Sequence, residues 1–136
     1  MNTYQNTLNL LGRLLIVAMF LPAGLSKAIG FEGAVGYFTS LGIIAPTLTV
    51  VLTIILEIVG GFALIVGYKT RATAMLLALF TLAAAVTGHA FWSAPPDAAF
   101  VEQLLFLKNI AITGGLLILA STGAGKFSFD GVKEST

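Results

Sequence analysis

Four apolar stretches, each long enough to cross a bilayer, leave this chain little freedom in what it can fold into. About 20 apolar residues span a hydrocarbon core of about 30 Å. Such stretches lie near Leu8–Ile29, Pro46–Gly67, Arg71–Phe91 and Phe100–Thr122. Helix breakers separate them: Gly30 closes the first, Ala45-Pro46 opens the second and Gly67-Tyr68-Lys69 ends it. Ser93-Ala94-Pro95-Pro96-Asp97 divides the third from the fourth. Only 10% of the 136 residues are charged and 57% are hydrophobic, with a mean hydropathy of +0.99. A water-soluble domain carries roughly a quarter charged residues, so the outer surface is expected to face lipid. The expected fold is all-α, an integral membrane four-helix bundle running up-down-up-down, because short connections make successive helices antiparallel. Residues 1–136 read as a single transmembrane domain.

Arg13 precedes a short apolar run, as in a cleaved leader, but that run continues past Pro22 to Ile29 and three further spans follow. It therefore reads as a retained helix. Between the first two spans, Phe31, Val35, Phe38 and Leu41 recur at helical spacing, with Glu32 and Gly33 elsewhere on the wheel. This predicts a short amphipathic segment over Phe31–Ile44, lying in the outer interface or dipping into it, with an ordinary loop as the plainer reading.

Several function classes fall away on composition. A net charge of +1 without a basic cluster gives no footprint for nucleic acid. Without cysteine the chain cannot run dithiol exchange, hold an iron–sulfur cluster or build a thiolate metal site. A single histidine cannot supply bis-histidine haem ligation or, lacking a companion ligand set, a tight metal site. No metal, haem or iron–sulfur cofactor is expected, and any redox role requires an organic cofactor or a partner protein. Arg13, Lys69, Arg71, Lys126 and Lys133 gather on one side, opposite Lys27, Glu32, Asp97 and Glu102. The positive-inside rule then places both termini in the cytoplasm.

Ionisable residues within the spans cost roughly 2.5–3.5 kcal/mol each at a helix centre, so each needs a partner, water or a function. Arg13, Ile16, Val17, Phe20, Gly24 and Lys27 share one face of the first helix. Glu57 sits near the middle of the second span with Thr53, Gly60, Gly61 and Leu64 on its face, and the paired glycines suit a closely packed neighbour. Glu102, Asn109 and Thr113 fall on nearly one azimuth of the fourth, flanked by Gln103 and Lys108. Helical rise puts Lys108 about 12 Å and Glu57 about 16 Å below the same boundary. A Glu57–Lys108 pair is therefore expected, with Arg13 the rival partner.

Arg13, Glu57 and Asn109 are the expected buried polar residues. Lys27, His89, Glu102 and Lys108 form a candidate quinone site near the end opposite the termini. There Lys or His would donate to a quinone carbonyl and Phe91 or Trp92 would stack on its ring. Plainer readings stand beside these: snorkelling for Arg13 and Lys27, register fixing for Glu57, and an interfacial aromatic belt around His89. No catalytic residue emerges. Ala72, Ala74, Ala78, Ala83, Ala84, Ala85 and Gly88 permit close packing of the third helix, within one chain or in a homo-oligomer.

An arginine opening the first helix is followed by Gly24-Leu25-Ser26-Lys27, then Glu57-Ile58-Val59-Gly60-Gly61 and Gly67-Tyr68-Lys69-Thr70-Arg71-Ala72. The tail reads Gly123-Ala124-Gly125-Lys126-Phe127-Ser128-Phe129-Asp130-Gly131. In order and spacing these pieces resemble the DoxX family of small four-helix bacterial membrane proteins, over nearly the whole chain. Ala124 stands where the family often has proline, and Phe129 where it often has leucine. The resemblance implies a bacterial inner-membrane location. Among family members it implies links to thiosulfate:quinone oxidoreduction or to membrane assemblies that handle thiol and oxidative stress. It does not by itself assign a substrate.

Three functions remain in view. The first is a quinone-linked subunit or accessory component of a membrane oxidoreductase system, with a membrane or peripheral redox partner. The second is a non-catalytic scaffold or assembly factor whose buried charges fix packing. The third is a small transporter or lipid-handling protein in which Glu57 relays protons.

Overall fold

The computed structural model describes residues 1–133, and every regular element among them is helical. The helices are α1 (Thr3–Ile29), α2 (Phe31–Ser40), α3 (Pro46–Val66), α4 (Thr70–Gly88), α5 (Ala99–Thr122) and α6 (Phe129–Lys133). A single 3-10 turn, Phe91–Ser93, follows α4. Four segments are long and apolar enough to span a membrane: α1, α3, α4 extended through that turn, and α5. The fold is thus an all-helical membrane bundle of four spans, with the short α2 between the first two.

Local sequence sets the helix ends. α1 begins before Leu8 because Asn2 and Gln5 form a capping box: Asn2 Oδ1 accepts from Gln5 N at 2.9 Å, and Gln5 Oε1 from Asn2 N at 2.8 Å. Pro46 occupies the first turn of α3, where its missing N–H costs nothing. Gly67 ends α3 at φ 69°, a left-handed conformation that suits glycine. α2 buries no residue fully and packs against α3 and α1, as an interfacial helix would.

The most extensive helix contacts are α4 with α5 and α1 with α3, and α3 with α4 joins the two pairs. Glycines bring α1 and α3 together. A Cβ on Gly24 would lie 2.8 Å from Ile58 Cγ1, and one on Gly61 2.8 Å from Leu21 Cδ2. Gly60 instead faces Leu77 of α4, so the adjacent glycines serve two different neighbours. The apolar core includes Val17, Phe20, Leu64, Leu77, Ala78 and Leu116. Outward positions such as Leu15, Leu79 and Ile118 are 75%, 60% and 67% exposed, a surface that hydrocarbon solvates and water does not.

The end that carries Met1 and the glycine-rich tail is closed by polar ties to helix ends. Arg13 is fully buried; its Nη1 donates to the carbonyls of Leu64 and Ile65, both at 3.0 Å, and its Nη2 to Phe127 O at 2.6 Å. Arg71 donates to the carbonyls of Ala120, Ser121 and Thr122. Each guanidinium thus meets the unsatisfied carbonyls and negative dipole end of a helix, α3 for Arg13 and α5 for Arg71. Asp130 accepts from Lys69 N at 2.9 Å and Thr70 N at 2.8 Å, capping α4 from the tail. Asn6 Oδ1 accepts from Lys126 N at 2.9 Å. At Gly67 a Cβ would collide with Ser128 and stand 2.6 Å from Arg13 Nη1. The glycine-rich tail is therefore a clasp over the ends of α1, α3 and α4.

Candidate functional site

At the opposite end, α1, α2, α3 and α4 surround a cavity of about 400 Å³, with Asn109 of α5 on its wall. Phe20, Phe38 and Phe80 supply much of the apolar wall, and Lys27, Tyr37, Thr53, Glu57, Thr81, His89 and Asn109 supply polar groups. That volume lies within the usual range for small-molecule sites.

Lys27 stands in the last turn of α1 and Glu57 mid-way along α3. The Lys27 ammonium donates to Glu57 Oε1 at 3.0 Å and Oε2 at 2.9 Å, and to Ala23 O at 3.4 Å. The Glu57 side chain is only 6% exposed, against 25% for Lys27. Neither partner expected from sequence is correct. Lys108 points outward from α5, because it lies about 100° from the buried Asn109 on the same helix. Arg13 is committed to carbonyls at the far end of the bundle. Gly24 explains the actual pairing, since its missing Cβ would lie 3.0 Å from Glu57 Cβ, and Lys27 is one turn further along. Snorkelling fails for both cations of α1: each turns inward to a protein partner.

His89 caps α4, and its Nδ1 lies 2.9 Å from Glu102 Oε2 on α5. The ring lines the cavity, leaving Nε2 as the nitrogen not engaged with Glu102. Tyr37 of α2 donates to Gly88 O at 3.1 Å, linking the interfacial helix to the end of α4. Its hydroxyl titrates above the ordinary tyrosine range, first because of burial and then because of the negative charge of Glu102. Asn109 is 4% exposed, and its Oδ1 has no hydrogen-bond partner. A buried amide oxygen without a partner is costly, so an orphan on a residue of the cavity wall marks a place where a ligand or water is expected.

The structure thus gathers Lys27, Glu57, His89 and Asn109 around one cavity, with Glu102 behind His89. Lys108 and Arg13 stand apart. Phe91 and Trp92 do not line the cavity either; they pack edge-on with Phe106, with centroids 5.3–5.7 Å apart. Phe20, Phe38 and Phe80 take the place expected for them. Tyr37 and Thr81 were missed by sequence reasoning. Thr81 carried a usable signal, as the polar member of the stripe Ala74, Ala78, Thr81, Ala85 that faces inward.

A four-span bundle clasped at one end and opened around a buried ion pair at the other is a small polytopic membrane protein with a largely apolar cavity that carries a few polar groups. The chain belongs to the DoxX family, whose profile matches residues 8–90. It is similar to the inner membrane protein YqjF of Escherichia coli, at 39% identity over 89% of this chain and 88% of the relative. It is similar to the inner membrane protein YphA of the same organism at 37% identity, over 89% and 86% of the two chains. A third relative, named "Putative oxidoreductase CatD", from Bacillus subtilis, is 33% identical over 77% of this chain and 78% of its own. No solved structure matches the chain.

Proposed function

We propose that the chain is an inner-membrane component of an oxidoreductase system, with both termini cytoplasmic, that holds a quinone or its quinol in the cavity between α1 and α4. The observation that carries this reading is Asn109, whose buried, unpartnered amide oxygen belongs to a cavity wall that is otherwise largely aromatic and aliphatic. An amide offers both an acceptor and a donor, matching the hydroxyl of a quinol and the carbonyl of a quinone. His89 adds a ring-nitrogen contact, and Phe20, Phe38 and Phe80 suit a flat ring. The hydroxyl of Thr81 donates to its own helix at Leu77 O, 2.7 Å away, so it turns lone pairs rather than a hydrogen outward. Lys27, bound to both oxygens of Glu57, sets the electrostatics of the wall rather than making the first contact.

A bound quinone would supply two-electron, two-proton carrier chemistry. The protein's own residues bind and orient the ring, exclude water and present groups able to exchange protons at His89. Electrons must come from a partner protein, since the chain carries no cysteine and one histidine. The oxidoreductase name of CatD supports this direction. The test is titration of the purified protein with a short-chain quinone, read by isothermal calorimetry in detergent. Binding is expected in wild type and in Lys108→Ala, and is expected to fall about tenfold or more in Asn109→Leu, the effect of one lost buried hydrogen bond. Equal binding by wild type and Asn109→Leu contradicts the assignment. A protein that binds no quinone but assembles stoichiometrically with another membrane protein supports the scaffold reading instead.

A further inference from the structure

At the terminus end, a second cleft of about 730 Å³ lies between the start of α4, the end of α5 and the tail. Its lining holds three cations, Lys69, Arg71 and Lys126, against one carboxylate, Asp130. That carboxylate already accepts from two backbone amides, those of Lys69 and Thr70. Thr70 lines the cleft and is fully buried, yet its hydroxyl has no hydrogen-bond partner. Gly123, at φ 79°, keeps the lip narrow: a Cβ there would press within 3.4 Å of the Arg71 guanidinium.

An excess of positive charge around an orphaned hydroxyl suits an oxyanion. Depth selects its source. The cleft lies level with the helix ends, where the phosphates of a surrounding bilayer must sit. Directly beyond Arg71, Met75, Leu79 and Leu82 follow at i+4, i+8 and i+11 on one face of α4, exposed by 43%, 60% and 42%. A phosphate held by the cations would therefore have an apolar track beneath it for acyl chains. We propose that this cleft seats the phosphate of an anionic phospholipid, with Lys69 and Lys126 as its charged contacts and Thr70 at its floor. Arg71 is reserved for the α5 carbonyls and positions the lip.

Native mass spectrometry of the full chain, released from micelles carrying either phosphatidylglycerol or phosphatidylcholine, tests the site. Wild type is expected to retain phosphatidylglycerol in preference to phosphatidylcholine. Lys69→Gln/Lys126→Gln should weaken phosphatidylglycerol retention roughly thirtyfold, the loss expected for two interfacial cations. Lys108→Gln, which removes an outward cation elsewhere, should not. Thr70→Val should also lower the preference while leaving the Tm in phosphatidylcholine unchanged, because the hydroxyl makes no bond within the fold. Equal retention of the two lipids by wild type, or full preference in both variants, overturns the proposal. Inorganic phosphate that raises Tm in a Lys69- and Lys126-dependent way, while phosphatidylglycerol does not, overturns the lipid assignment.

Discussion

The ammonium of Lys27 bridges both carboxylate oxygens of Glu57, at 3.0 and 2.9 Å, and so ties the last turn of α1 to the middle of α3. Breaking a buried pair from one side leaves the other charge uncompensated, whereas replacing both groups with apolar ones is far less costly. Glu57→Leu should therefore lower stability by about 3 kcal/mol, the lower end of the roughly 3–5 kcal/mol such a break costs, because Lys27 keeps some exposure. Lys27→Met/Glu57→Leu should recover most of the loss. Thermal melting in detergent checks this, and a double variant no better than the single would show that the charges do more than pair.

Arg13 supplies a comparable tie at the other end. Its fork reaches two carbonyls of α3 and one of the tail, a geometry that a single ammonium cannot reproduce. Arg13→Lys is expected to cost about 2 kcal/mol, one to two charge-assisted hydrogen bonds. It should also expose the tail beyond Gly123 to protease. A tail as resistant in Arg13→Lys as in wild type would count against the clasp.

Close approach of α1 and α3 gives a paired test on glycines of the same helix. Gly24→Ala would set a Cβ 2.8 Å from Ile58 Cγ1, while Gly12 has nothing within 4 Å of the same atom. Gly24→Ala should destabilise by about 1–3 kcal/mol through overpacking. Gly12→Ala should be neutral or stabilising by up to about 1 kcal/mol through helix propensity. Chemical denaturation separates the two, and equal effects would contradict the observed helix contact.

Tyr37 gives the pH dependence. Its folded pKa is raised, by burial first and by Glu102 second, so the folded state favours the neutral phenol. Its contribution to stability is complete below the ordinary tyrosine value of about 10 and is lost as pH rises through the higher folded value. Absorbance titration near 295 nm should reveal a late-ionising tyrosine that is missing in Tyr37→Phe and moves lower in Glu102→Gln. An early-titrating Tyr37 would mean that α2 does not sit over the end of α4.

The four spans were legible because apolar runs of bilayer length, bounded by Gly30, Pro46, Gly67 and Pro95-Pro96, admit one reading. The inward face of α5 was also legible from Glu102, Asn109 and Thr113. The partner of Glu57 was not. Depth agreement favoured Lys108, but azimuth decides contact, and Lys108 lies on the wrong side of a helix whose inward face was already known. Lys27 reaches Glu57 only because Gly24 lets two backbones meet, and that approach depends on three-dimensional crossing rather than on spacing along either helix. The tail shows the same limit. Its glycines and Asp130 stood out as a motif, while the capping of α4 by Asp130 joins segments about sixty residues apart.

If the cavity beside Asn109 and His89 holds a quinone, the protein carries one when it is purified. Membranes solubilised in a mild detergent would give protein whose organic extract is quantified for quinones by mass spectrometry, wild type beside Asn109→Leu and Lys108→Ala. Quinone approaching one per chain is expected in wild type and Lys108→Ala, and a loss of most of it in folded Asn109→Leu. Wild-type protein free of quinone, or an Asn109→Leu protein that keeps its full share, would contradict it.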